Sequence, residues 1–268
     1  TMKLVKGRTL ATLLAARESV NTDRQRLIDI FESVCQTMAY AHSRGVIHRD
    51  LKPSNVMVGA FGEVSVVDWG FAKLLRRGGI DDERRARRDE TVVATVRSAA
   101  DGAEAMAGPV TGTLSYVPPE QALGHVEDLT ERADVFALGA ILCEILTGQP
   151  PYVGLAEDVL AAASQGRLDD AHARLDRCGC DAELVTLAKR CLSPLPKDRP
   201  RSAREVAETL GEHLSGAERR AHEARVRAVE EQVKVEEQRR ARRQTLVVAA
   251  AIVSVVLLLG GGLLAKGS

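Results

Sequence analysis

A chain of 268 residues with 45% apolar residues can bury a substantial core, but only 3% are aromatic, so that core must come from Leu, Val, Ala and Ile. Lys plus Arg equals Asp plus Glu at 37 each, which excludes a global electrostatic pull toward nucleic acid and leaves charge to act in local runs. The five cysteines (Cys35, Cys143, Cys178, Cys180 and Cys191) are odd in number and widely spread, which does not suit a disulfide framework and fits a reducing compartment.

The chain opens on Thr1 with no basic, apolar and small-residue succession, so no signal peptide is read there and the start is expected to be a cut inside a longer protein. Arg24 to Ser43 has helical periodicity through Leu27, Ile30, Phe31, Val34, Met38 and Ala41, with Gly45 as a stop. Val56-Met57-Val58 and Val64 to Val67 are short β-type runs separated by Gly59-Ala60-Phe61-Gly62, a predicted hairpin. Residues 78–108 are polar, rich in Arg and Asp, and predict a long loop. Asp134 to Leu146 is a strongly apolar helix stopped by Gly148 and two prolines, and Leu184 to Leu192 is another, ended by Pro194 and Pro196. Ser202 to Leu214 opens with Ser202-x-x-Glu205, a capping box. Cys178-Gly-Cys180 with His172 nearby resembles half a zinc site, but no second ligand pair follows, so ordinary thiols are expected.

Residues 215–244 are dominated by Arg, Glu, Gln and Ala, with a thin stripe of Val226, Val229 and Val233. Two readings stay open: an exposed helix joining domain to membrane, and one strand of a homodimeric coiled coil. Leu246 to Ala265 reads LVVAAAIVSVVLLLGGGLLA, uncharged, with Ser254 its one polar side chain. Twenty residues of helix reach about 30 Å, the thickness of a bilayer's hydrocarbon core. A single transmembrane helix is therefore expected over 245–265, followed by a far-side stub at 266–268. Arg239, Arg240, Arg242 and Arg243 precede it and only Lys266 follows, which predicts a cytoplasmic location for everything N-terminal to the span.

The hairpin carries the chemistry. Asn55 precedes its first strand and Asp68 follows its second, and antiparallel pairing brings those two ends together. An amide oxygen beside a carboxylate suits Mg²⁺, which takes few protein ligands and completes its shell with phosphates and water. Asp50 and Lys52 lie just upstream, with Pro53 stiffening the segment. A potential base, a phosphate-directed cation and two metal ligands thus fall within nineteen residues. Turns favour Asp, Asn and Lys in any case, so geometry alone leaves both readings open.

The residues themselves narrow the choice. His48-Arg49-Asp50-Leu51-Lys52-Pro53-Ser54-Asn55 matches the protein-kinase catalytic loop. Asp68-Trp69-Gly70 stands where that family has Asp-Phe-Gly, and Pro118-Pro119-Glu120 where it has Ala-Pro-Glu. Asp134-Val135-Phe136-Ala137-Leu138-Gly139 is similar to the buried helix below the catalytic loop, and Lys197-Asp198-Arg199-Pro200 to a late arginine-containing turn. The chain resembles the eukaryotic-like serine/threonine protein kinases of bacteria over residues 1 to about 214.

That resemblance implies a mainly α fold with a small β-hairpin, the C-terminal lobe of a kinase from the hinge onward, with the N-terminal lobe missing. ATP and Mg²⁺ are the implied cofactors, Ser/Thr-bearing proteins the implied substrates, and the bilayer a contact through 245–265; nucleic acid is not a partner. Asp50 would take or orient the proton of the acceptor hydroxyl and Lys52 would offset charge on the transferring phosphoryl group. Asn55 and Asp68 would hold Mg²⁺. His48 and Arg49 belong to the same loop, Asp134 would cap its backbone, and Glu120 would pair with Arg199. Met57 would pack against adenine, while Met2 to Val5 resembles the hinge, with Val5 bonding adenine's edge. Thr113, in Gly112-Thr113-x-x-Tyr116, would shape a Ser/Thr acceptor site. Thr111 is the favoured phosphorylation site, with Arg49 as partner to its phosphate and Thr91 and Thr95 as weaker alternatives.

Trp69 and Pro118 depart from the family pattern without removing a ligand. The glycine-rich loop, phosphate-binding lysine and glutamate of a complete kinase are not matched, so the isolated chain is expected to be inactive by itself. A membrane-anchored pseudokinase acting as a docking module is the alternative; small-molecule kinases share the catalytic loop but lack the Pro-Pro-Glu and Lys-Asp-Arg-Pro features.

Overall fold

A computed structural model describes residues 7–75, 113–216 and 225–227. The chain divides into two compact units, 1–213 and 214–268, and the fold belongs to the first. The loop expected over 78–108, the hinge run Met2 to Val5 and the membrane helix expected over 245–265 lie outside the described residues, as does most of 215–244. Among the described residues no helix is long and apolar enough to cross a membrane.

Two helices set the frame. Helix α1 is Leu10–Ala15, opened by the Thr9 side chain accepting from Thr12 N. Helix α2 is Arg24–Ser43, the bounds its periodicity predicts, and it buries Leu27, Ile28, Ile30, Phe31, Val34, Cys35, Met38, Ala41 and His42. The chain leaves it through Arg44 and Gly45, whose φ of 74° suits a residue without a β-carbon.

The predicted hairpin forms, but inside a larger sheet. Strand β1 (Arg8–Thr9), β2 (Val46–Ile47), β3 (Val56–Val58), β4 (Val64–Val66) and β5 (Lys73–Leu74) make two sheets. In the first, of order β1-β3-β4, β3 pairs antiparallel with both neighbours, in registers Thr9↔Met57 and Val56↔Val66. In the second, β2 pairs antiparallel with β5. The sequence reading had only the hairpin, because two-residue strands carry no alternation to detect.

After the short helix α3 (Pro119–Ala122) comes α4 (Glu131–Thr147), longer at both ends than its apolar run predicts. It begins at Thr130, whose hydroxyl accepts from Arg132 N. Nearly every residue from Ala133 to Leu146 is buried, the signature of a helix enclosed on all sides. Two further helices, α5 (Ala156–Gln165) and α6 (Asp169–Arg177), precede α7 (Ala182–Cys191), and α8 is helical over residues 203–216.

Helix α4 packs against α2 and α7. Its approach to α7 requires Gly139, since a β-carbon there would stand 2.5 Å from Cys191 Cβ. At its C-terminal end, Arg17 donates to the carbonyls of Ile145 (2.9 Å) and Glu144 (3.2 Å), satisfying groups that the helix leaves without partners. Burial lowers the Arg17 pKa, opposed by the charge of Glu144.

The capping box differs from expectation. Glu205 reaches back, but to the N–H of Arg201 at 2.9 Å, one residue before Ser202. That bond is the main reason its carboxyl titrates below the ordinary value. The five cysteines are free thiols.

Candidate active site

The loop of residues 48–55 joins β2 to β3 and hangs from one buried carboxylate. Asp134, in the first turn of α4, is fully buried. Its Oδ2 accepts from His48 N at 2.8 Å and its Oδ1 from Arg49 N at 2.9 Å. His42 Nε2 also donates to Oδ2, at 2.9 Å. That tautomer follows from the network, because His42 Nδ1 accepts from Ala203 N at 3.4 Å. Arg49 sits at φ 68°, a left-handed conformation that costs a residue with a β-carbon about 1–2 kcal/mol. The two charge-assisted bonds to Asp134 and one from Gln121 Nε2 to Arg49 O (2.9 Å) hold it there.

Asp50 lies at the centre of the loop. Lys52 Nζ stands 3.1 Å from its Oδ1 and 2.9 Å from its Oδ2. The same ammonium donates to Thr113 Oγ1 at 2.8 Å, tying the loop to a residue 61 positions later. Asn55, closing the 3₁₀ turn Pro53–Asn55, donates through Nδ2 to Asp50 O at 2.8 Å and to Asp50 Oδ2 at 3.1 Å. Asp50, Lys52, Asn55 and Thr113 therefore form one connected cluster. A carboxylate held at several points beside an ammonium can orient an incoming hydroxyl and offset negative charge passing to it.

Asp68 enters from the other strand. Val67 N donates to Asn55 O at 2.8 Å, so Asn55 and Val67 are opposite each other and Asp68 follows, exposed, at φ 63° and ψ 58°. Because Asn55 gives its amide nitrogen to Asp50, its Oδ1 is the atom left to serve as a ligand. One amide oxygen and one carboxylate form the sparse, hard-oxygen set that Mg²⁺ uses with phosphates and water. A metal held by side chains alone has no such support: among the described residues, no group of three or more His, Cys, Asp or Glu is placed to bind one.

The remaining predicted residues are scattered around this cluster. Met57 is half-buried on the face of β3 opposite Val56 and Val58, which point into the core. Glu120 and Arg199 form a bidentate pair, with Nη1–Oε1 2.7 Å and Nη2–Oε2 2.8 Å. Arg49, expected to meet a phosphate, lies 7% exposed and donates through Nε to Phe71 O at 2.5 Å. Val5 and Thr111 lie outside the described residues.

Sequence reasoning missed several members of the site. His42 lies on the buried face of α2 at helical spacing from Met38, and nothing local signals its bond to a residue 92 positions away. Gln121 was likewise unremarked. Tyr116 donates to Glu144 Oε2 at 2.6 Å. Burial and then the Glu144 charge raise the phenol's pKa, which favours keeping the proton on the phenol, while burial also raises that of Glu144.

A family profile described as the protein kinase domain matches residues 1–210. The chain is 30% identical to the serine/threonine-protein kinase PknD of Protochlamydia amoebophila over 227 residues, covering 81% of this chain and 22% of that protein. It is 34% identical to the serine/threonine-protein kinase PknB of Mycobacterium leprae over 213 residues, 78% of this chain and 29% of that one. PknB of Mycobacterium tuberculosis is 31% identical over 209 residues, with shares of 78% and 29%. The chain thus spans about a quarter of the length of these curated relatives.

Proposed function

The chain belongs to the protein kinase domain family, and on that footing we propose that it transfers the γ-phosphoryl group of ATP to serine and threonine hydroxyls of proteins. The observation that carries this reading is the cluster in which Lys52 bridges the Asp50 carboxylate and the Thr113 hydroxyl while Asn55 fixes Asp50 from the other side.

Asp50 accepts or orients the proton of the acceptor hydroxyl at a carboxylate oxygen. Lys52 lies against the transferring phosphoryl group and offsets its charge. Thr113, held by Lys52, lines the acceptor position. Asn55 Oδ1 and the Asp68 carboxylate are the groups that would hold Mg²⁺. When bound, Mg²⁺ would neutralise charge that develops on the phosphate oxygens during transfer. Met57 offers an apolar wall to adenine. Asp134 and the Glu120–Arg199 pair serve as architecture. The names of the relatives support serine and threonine as acceptors. The sequence of 245–265 and its arginine-rich approach support a membrane anchor with the kinase domain on the cytoplasmic side.

The test uses the full-length gene product. Asp50→Asn should lower turnover by roughly 10²–10⁴-fold, the range that a positioned proton acceptor contributes, with Mg²⁺–ATP affinity near wild type by calorimetry. Wild-type turnover in Asp50→Asn would refute the role given to Asp50.

A further inference from the structure

Of the five cysteines, Cys35, Cys143 and Cys191 are buried, whereas Cys178 and Cys180 are half-buried. These two are separated by a single glycine and lie in the turn between α6 and α7. Cys178 ends α6 in a right-handed conformation, φ −73° and ψ −10°, and Gly179 follows at φ 66°. A β-carbon on Gly179 would meet nothing within 4 Å among the described residues. The glycine is therefore there for its conformation and not for space. A left-handed residue directly after a helix end folds the chain back on itself.

That reversal brings the two thiols together. Cys180 Sγ lies 3.8 Å from Cys178 O and 4.0 Å from Leu146 O, in the last turn of α4, and it is hydrogen-bonded to the Cys178 thiol. The turn is anchored at both ends. Cys178 N donates to Leu175 O at 3.4 Å, and Asp181, the residue after Cys180, meets His213 Nε2 at 3.1 Å. Burial, and then the Cys178 thiol, push the Cys180 thiol up to about 12, so Cys180 keeps its proton until its neighbour has reacted. Among the described residues no group of three or more His, Cys, Asp or Glu is placed to hold a metal, so further ligands do not complete the pair into a metal centre.

We infer that Cys178 and Cys180 form a reversible redox-modification site, which a hydroperoxide closes to a disulfide. The inference goes beyond the kinase reading and does not rest on it. Cys178 reacts first. Its sulfur takes the terminal oxygen of the hydroperoxide, the O–O bond breaks, and the alcohol (water, for hydrogen peroxide) leaves, giving a sulfenic acid. Cys180 Sγ then attacks Cys178 Sγ, the S–O bond breaks, and the hydroxide leaves as water with the Cys180 proton. Two thiols and one hydroperoxide thus give one disulfide, one alcohol and one water, with two electrons passing from sulfur to the peroxide. A bridge across one residue in an accessible turn is of the labile kind that small thiols reopen. In a reducing compartment such transient bridges are the ones that sense redox state.

The experiment exposes the reduced full-length gene product to hydrogen peroxide, alkylates free thiols in denaturant and maps peptides by mass. Cleavage after Arg177 and Lys189 puts Cys178 and Cys180 on one peptide with no other cysteine. That peptide should escape alkylation, be lighter by two hydrogens and recover both thiols with dithiothreitol, while Cys35, Cys143 and Cys191 still alkylate. In a glutathione redox titration the pair should oxidise about tenfold more readily in the folded protein than in a synthetic peptide of residues 178–189, the gain from pre-organisation. In Cys178→Ser, Cys180 should remain alkylatable after the same exposure. Sulfinic or sulfonic acids or separate glutathione adducts in place of the internal disulfide overturn the inference. So does earlier oxidation of a buried cysteine, loss of the Cys180 thiol in Cys178→Ser, or a titration midpoint equal to that of the peptide. If the variant does not fold, the wild-type mass map and titration decide.

Discussion

Arg199 directs all five guanidinium N–H groups to protein acceptors. Nε donates to Ser193 O, Nη1 to Glu120 Oε1 and Arg132 O, and Nη2 to Glu120 Oε2 and Pro194 O, all within 2.9 Å. The planar group also lies 4.9 Å from the Phe136 ring centroid. Arg199→Ala should therefore destabilise the domain by about 3–5 kcal/mol, the cost of breaking a buried pair from one side. Arg199→Lys should cost less but not be silent, because an ammonium cannot reproduce the fork. Urea unfolding of both variants checks this, and a loss under about 1 kcal/mol for Arg199→Ala would contradict the architectural role. The pair itself was legible from two motifs 79 positions apart, as were Asp50, Lys52 and Asn55 from their spacing. The three carbonyls that complete the Arg199 shell were not, because backbone acceptors leave no mark in a sequence. His42 was hidden for a related reason: a histidine on an apolar helical face looks the same whether it fills space or holds Asp134.

The longer elements were legible where burial imposed a period. Helix α2 repeats its apolar residues over 20 residues and its bounds came out as read. Helix α4 was placed by its continuous apolar run, but its first residues, Glu131 to Ala133, were missed, because Thr130 caps the helix there and the polar Glu131 and Arg132 hide the start. Helices α5 and α6 received no assignment. The first is rich in alanine and the second, DDAHARLDR, buries only Ala171 and Leu175, so neither shows a wide stripe. Strands β1, β2 and β5 are two residues each and owe their existence to partners far along the chain. The Ser202-x-x-Glu205 pattern was half informative. It marked the start of α8, yet the Glu205 carboxylate selected the Arg201 N–H, an outcome set by local backbone geometry and by Arg190, which donates to its other oxygen at 2.9 Å.

At the scale of the whole molecule, the first compact unit holds the candidate active site, and the composition of 245–265 supports the proposed attachment. Twenty uncharged residues behind four arginines should keep the full-length protein in the membrane fraction through an alkaline carbonate wash, and recovery in the supernatant would remove the anchor from the proposal. Kinase chemistry stands apart from that question, since the Asp50 cluster and the Asp134 anchor lie within the first compact unit. Its most direct test is phosphoamino-acid analysis after the full-length gene product is incubated with γ-labelled ATP, Mg²⁺ and an acceptor protein. The label should be recovered as phosphoserine and phosphothreonine with wild type and be nearly absent with Asp50→Asn. No transfer by wild type, label recovered mainly as phosphotyrosine, or undiminished labelling by Asp50→Asn would contradict it.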